Sequence, residues 1–335
     1  MKQNIINLLT DAAKAEQRKA LPILSFPATQ KLGVSVEELV KDSELQARAI
    51  ETVAKETDTL AAISLMDLSV EAEAFGADVR FAPDEIPAVV GQLVSDEDEA
   101  NALAVPTLEA GRASVCVEGI RLAAERIKDK PVLAGMIGPY SLAGRLMDVT
   151  EIMYLCYDEP ETVHTVLAKA TEYLIEYAKA FKDAGASGIM MAEPLAGIMS
   201  PSMADEFSVP YVKQIIEAVQ DSEFAVIYHN CGNAVASMTD EIFSQGAAAY
   251  HFGNAVDMED ILSKAPSDIL CMGNIDPVSQ FAEGTPDSMR AAVADLLDRC
   301  GKYPNFVISS GCDIPHHASW ENIGAFFEAV SEWKN

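Results

Sequence analysis

Phe224-Ala225-Val226-Ile227-Tyr228-His229-Asn230-Cys231 is an apolar run that closes on an imidazole and a thiol. A short run of this kind reads as a buried strand. Residues two apart on a strand share a face, so His229 and Cys231 converge on one point. A second run, Phe306-Val307-Ile308-Ser309-Ser310-Gly311, leads into Cys312. One nitrogen and two sulfur donors make a three-ligand zinc set with a fourth position open, the pattern of catalytic rather than structural zinc. The competing possibility is a core histidine beside two buried thiols, since both residue types are often buried without a metal.

Working outward, six more apolar runs occupy 22–26, 61–65, 131–136, 188–191, 248–252 and 269–273. Amphipathic stretches such as 161–184 and 210–219 separate most of them. Strand–helix alternation implies a parallel sheet with right-handed crossovers. Eight such units in a chain of 335 residues point to a closed α/β architecture, the (β/α)8 TIM barrel. Residues 1–19 are expected to add an N-terminal helix. The stretch 66–130 is too long for one crossover and is expected to be an insert after the second strand, with Asp78-Val79-Arg80-Phe81 forming a small strand or hairpin. No Pro-, Gly- or Ser-rich linker divides the chain, so 1–335 is expected to be a single domain.

Barrel sites are assembled at the C-terminal ends of the strands. Polar residues fall at those ends throughout: Asp67, Tyr140, Glu193, His229 with Cys231, His251, Asn274 with Asp276, and Cys312. Glu193 is a candidate to occupy the fourth metal position or to orient a ligand from behind; equally, it is a helix-start carboxylate before Pro194. Arg145 is one of few cations near the rim, a candidate to hold an anion, with an ordinary surface ion pair the weightier alternative. His251 is a candidate donor to the substrate or a satisfied core histidine. Asp276, before Pro277, is a candidate helix cap. His316 and His317 sit at a helix start and are not expected to be ligands.

The formal net charge is −28, from 52 acidic and 24 basic side chains, which disfavours nucleic acid and anionic membranes as partners. With 49% hydrophobic residues the chain has ample material for a core. Its six cysteines form no short-spaced framework, which suggests free thiols in a reducing compartment. No run of about eighteen apolar residues and no apolar leader is present, so a cytoplasmic protein is expected.

Several segments together resemble a known family. Met66-Asp67-Leu68-Ser69-Val70-Glu71-Ala72-Glu73-Ala74-Phe75-Gly76, Gly138-Pro139-Tyr140-Ser141-Leu142-Ala143 and Gly273-Asn274-Ile275-Asp276-Pro277 are similar to loops of the uroporphyrinogen decarboxylase superfamily. His229-Asn230-Cys231-Gly232-Asn233 and Gly311-Cys312-Asp313-Ile314-Pro315 resemble its cobamide-dependent methyltransferase branch, which passes a methyl group to coenzyme M. In that branch the matching His and Cys positions hold zinc; in the decarboxylase branch the place of Cys312 is typically histidine.

The resemblance implies a zinc-dependent methyltransferase acting between a methylated corrinoid protein and a small thiol. Zinc would be held by His229, Cys231 and Cys312. Glu193 and Asp67 would be catalytic, with Tyr140, Arg145, His251 and Asn274 facing substrate or cofactor. The corrinoid would arrive on a partner protein, because no Asp-x-His-x-x-Gly signature is present. Two departures bear on this. The decarboxylase arginine cluster is missing, since 22–30 holds no arginine, and a many-carboxylate tetrapyrrole needs such cations. Asp67, however, stands where the decarboxylases keep a functional aspartate and many coenzyme M transferases carry no acid. A decarboxylase-like lyase and a non-catalytic, zinc-containing subunit that docks a corrinoid protein are the alternatives.

Overall fold

The computed structural model describes residues 4–334. Nine strands form in chain order: β1 (Ala62–Ile63), β2 (Asp78–Ala82), β3 (Glu85–Val90), β4 (Val132–Ile137), β5 (Gly188–Ala192), β6 (Ala225–Asn230), β7 (Ala249–Phe252), β8 (Leu270–Ile275) and β9 (Phe306–Ser310). Seven of them make one curled parallel sheet in the order β1-β4-β5-β6-β7-β8-β9, with helices in the connections. This is the TIM-barrel-like fold that strand–helix alternation anticipates. Strands β2 and β3 form a separate antiparallel hairpin. Among the described residues no helix is long and apolar enough to cross a membrane.

The first expected strand, 22–26, is not one. The segment nevertheless runs along the seam between β1 and β9. Leu60 N–H donates to the Ala20 carbonyl (2.9 Å) and Leu21 N–H to that of Ile308 (3.2 Å). Pro22 has no N–H to continue a ladder, and the Ile23 N–H turns instead to the Ser310 hydroxyl (3.0 Å). The seam is thus closed by alternating backbone and side-chain bonds. The stretch 66–130 contains the hairpin and the helices Glu97–Ala102 and Ala113–Arg126. The second of these packs on Ser43–Glu56 and leads into β4 in the manner of an ordinary crossover helix.

Alternation along the strands sorts side chains into two cores. Val226 and Tyr228 join the outer core between sheet and helices. Ala225 and Ile227 belong to an inner core with Ile63, Leu133, Met190, Met272 and Val307. That inner core is completed by Ile5, Leu9, Ala12 and Ala13 of the N-terminal helix Ile5–Lys14, which therefore stoppers one end of the barrel. Each fully buried aliphatic side chain there contributes about 1.5–3 kcal/mol. The phase of period two then dictates the other end. Two residues beyond Ile227, Ala249 and Val307 on the same face stand His229, His251 and Ser309.

Leu9 is fully buried in that stopper. Leu9→Ala is expected to cost about 2–5 kcal/mol, read as a fall in the urea midpoint without a change in slope. An unaltered midpoint would show that the helix contributes nothing to the barrel interior.

Candidate metal centre

Strand register sets the site. His229 of β6 lies beside Ala192 of β5 and beside His251 of β7. His229 is buried and presents Nε2 to Cys312 Sγ at 3.6 Å. One ligand atom from each of His229, Cys231 and Cys312 falls within 4.8 Å of the others. Asn230 points to the other side, donating to Tyr228 Oη (3.1 Å) and accepting from Gly232 N–H (3.0 Å), which bends the chain just after the strand. Gly253 lets the next loop come close: a Cβ there would lie 2.5 Å from Cys231 Cα.

The two thiols lie close enough to shift each other's ionisation in opposite directions. Hydrogen bonding from Cys312 pulls the Cys231 thiol down to about 7, although burial opposes this. The same bond, with burial, pushes Cys312 up to about 12. Burial and the neighbouring His229 hold His251 well below the usual imidazole range. His251 uses both ring nitrogens, Nδ1 to His229 Nδ1 (2.8 Å) and Nε2 to Ser309 Oγ (2.7 Å).

The remaining expected site residues are placed as follows. Glu193 is wholly buried, and its two oxygens accept from the backbone N–H groups of Tyr140 (2.7 Å) and Ser141 (2.8 Å) in the first turn of the helix Pro139–Met147. Its own N–H donates to the His229 carbonyl (2.8 Å). Burial outweighs these bonds and pushes its carboxyl up to about 7. It is not in the donor group; it ties that helix to the strand bearing His229. The Tyr140 hydroxyl faces Met153 Sδ (3.2 Å) and Cys156 Sγ (3.6 Å), inside the outer core rather than at the donors. Arg145 lies half-buried in the last turn of the same helix. Asn274 donates to the carbonyls of Gly253 (3.0 Å) and Val256 (2.8 Å), clamping the loop that packs on Cys231. Asp276 caps the turn at Pro277–Ala282. His316 and His317 pack on each other and stay out of the donor group.

Asp67 is buried in an ion pair with Arg112 (2.5 Å) and also accepts from the Ser69 hydroxyl (2.6 Å). Arg112 continues to Glu73 (2.6 Å). Sequence reasoning missed Arg112, because nothing in the spacing links it to an acid in another loop. It also missed Ser309, although a serine inside an apolar strand was a visible anomaly. Asp313 is a third omission: beside Cys312, both of its carboxylate oxygens are buried without a partner among the described residues.

The profile of the family described as uroporphyrinogen decarboxylase (URO-D) matches residues 9–333. The methylcobamide:CoM methyltransferase MtbA of Methanosarcina acetivorans is 26% identical over 272 residues, covering 80% of this chain and 78% of that one. The uroporphyrinogen decarboxylase of Hydrogenovibrio crunogenus is 26% identical over 320 residues, covering 92% and 88%. Among solved structures, a methyltransferase from Methanosarcina mazei superposes with a TM-score of 0.86 at 24% identity, over 98% of each chain.

Thiolates, not thiols, bind metal, so uptake must release protons. With Cys231 at about 7 and Cys312 at about 12, the first thiol is already ionised above neutral pH and the second is not. Zinc added to metal-free protein is expected to release about one cysteine proton at about pH 8 and about two at about pH 6. Apparent affinity should therefore fall more steeply with acid below neutrality. Proton counts that do not change between the two conditions would contradict this split in acidity between the two thiols.

Proposed function

Because the chain belongs to the uroporphyrinogen decarboxylase family, whose members include both transferases and lyases among its relatives, we propose that it is a zinc-dependent methyltransferase. Its donor is a methylated corrinoid carried by a partner protein, and its acceptor is a small thiol, with coenzyme M the first candidate. The observation that carries this is the convergence of His229, Cys231 and Cys312, a donor set of borderline and soft ligands suited to zinc. Geometry supports the fit. Tetrahedral ligands at about 2.3 Å (sulfur) and about 2.0–2.1 Å (nitrogen) stand about 3.6 Å apart, and Cys312 Sγ lies 3.6 Å from His229 Nε2. Two relatives whose names carry the same activity point the same way.

His229, Cys231 and Cys312 would hold the zinc, which would supply a Lewis acid favouring the thiolate form of the acceptor at neutral pH. With both thiols ionised, Cys231 and Cys312 would bring the charge of a zinc centre close to neutral, which would favour a nucleophilic acceptor sulfur. A methylated corrinoid on a docked partner would supply the methyl group, and its carbon–cobalt bonding pair would remain with the corrinoid once the methyl passed to the acceptor sulfur. Glu193 keeps the Pro139–Met147 helix fixed against the His229 strand, and Asn274 keeps the neighbouring loop against Cys231. Arg145 is an available cation for the acceptor's anionic end. Asp67 is spent on Arg112 and Ser69 and is left with a positioning part in the rim rather than a free carboxylate for chemistry.

One zinc per chain is expected, and Cys312→Ala should lose both the metal and thiol methylation from a methylated corrinoid protein. X-ray absorption on adding the acceptor should gain one sulfur scatterer at about 2.3 Å. Retention of stoichiometric zinc by Cys312→Ala would show the ligand set to be wrong. If every thiol failed while another acceptor took the methyl group, the thiol assignment would fall.

Decarboxylation of uroporphyrinogen is expected to be undetectable. Burying several carboxylates with no arginine in 22–30 is costly, and Asp67 is already neutralised by Arg112 at 2.5 Å. Coproporphyrinogen formed at the rate of a true decarboxylase would reverse this assignment.

A further inference from the structure

We infer that Ser309 and His251 are positioning residues that fix which nitrogen of His229 is free to take the metal. This rests on the metal-binding part of the function proposed above. The starting point is a carbonyl. Leu21 O can only accept, and Ser309 Oγ lies 2.7 Å from it, so the hydroxyl proton is committed there. Ser309 Oγ therefore offers a lone pair to its other neighbour, His251 Nε2 at 2.7 Å, and that nitrogen must carry a proton.

A neutral imidazole has one N–H. His251 Nδ1 is then bare and accepts from His229 Nδ1 at 2.8 Å, which must be protonated in turn. His229 Nε2 is left bare, facing Cys312 Sγ at 3.6 Å. Running the protons the other way would set the Ser309 lone pairs against the Leu21 carbonyl. No carboxylate bonds to either ring among the described residues, so no buried acid competes with the Ser309 hydroxyl for these protons. All three polar side chains are buried, which shuts out water as a substitute partner.

His251 thus acts from behind the ligand and not on the substrate. Its effect reaches the barrel seam, because Leu21 belongs to the segment closing β1 against β9. Partners of this kind behind a metal-binding histidine typically alter metal affinity by about 10–100-fold when removed.

The test has two arms on the full-length protein. Nitrogen NMR of the imidazoles in the metal-free, unsubstituted chain is expected to show His229 protonated on Nδ1 and His251 protonated on Nε2. Zinc competition with a chromophoric chelator is expected to show about a 10–100-fold loss for Ser309→Ala. Ser309→Thr, which keeps a hydroxyl, should recover most of the loss, and the cobalt-substituted spectrum should shift in the alanine variant alone. Reversed or mixed tautomers, or parental zinc affinity in a folded Ser309→Ala protein, would overturn the inference. A chain that binds no zinc yet shows the expected tautomers would sink the proposed function and leave the proton order standing.

Discussion

Two imidazoles lie against each other at the mouth of the barrel, and neither can reach water. A ring nitrogen buried without a partner costs about 1–3 kcal/mol, so both rings must be satisfied by the protein. His229 and His251 meet this by bonding to each other, and His251 by reaching Ser309. The orientation of His229 in the candidate metal centre follows from that constraint. It holds the His229 ring in one orientation, aims Nε2 at the cysteines, and anchors the group to backbone rather than to a flexible side chain. It also explains why the sheet register is indispensable: His229 and His251 can meet only because β6 and β7 place them side by side.

The acids around the site teach a second lesson. Glu193, Glu71 and Asp67 look catalytic by position and burial, yet each is bonded to backbone or to an arginine. Glu193 fills the start of one helix, and Glu71 accepts from Ile137 N–H at 3.0 Å. Burial drives both of these carboxyls up to about 7. A raised carboxyl is therefore poor evidence for acid–base chemistry in this rim, since desolvation alone produces it. The rim loops approach one another so closely that their N–H groups need internal acceptors, and these acids supply them.

The alternation of apolar runs and amphipathic stretches made the barrel legible, and the run ending in His229-Asn230-Cys231 contains two of the three side chains that the fold brings together as a candidate donor group. Period-two patterning carries that information because it depends only on local backbone geometry. The seam at 22–26 was misread as a strand because its composition is strand-like; the missing N–H of Pro22 was visible in the sequence, but the bond from the Ile23 N–H to the Ser310 side chain that takes the place of the ladder is non-local. Tyr140 shows the same limit. A strand-end tyrosine satisfied the rim rule, but helical phase sends its hydroxyl to Met153 and Cys156. Arg112 was invisible because its partner Asp67 comes from another loop. His251 lay between two possibilities until its neighbours in space were known.

The anchor of the histidine pair has a consequence for biosynthesis. Ser309 and Leu21 stand 288 residues apart in the chain. Contacts of such long range are closed late, because chain entropy must be surrendered before they form. A ribosome delivers His229 and Cys231 well before Cys312, so a nascent chain exposes an incomplete pair of donors. Only when β9 docks on the N-terminal segment do the last thiol and the proton-ordering carbonyl come together. Under the proposed function, completion of the donor group would thus coincide with barrel closure, and a thiol waiting in a partly folded chain would be the place most exposed to oxidation.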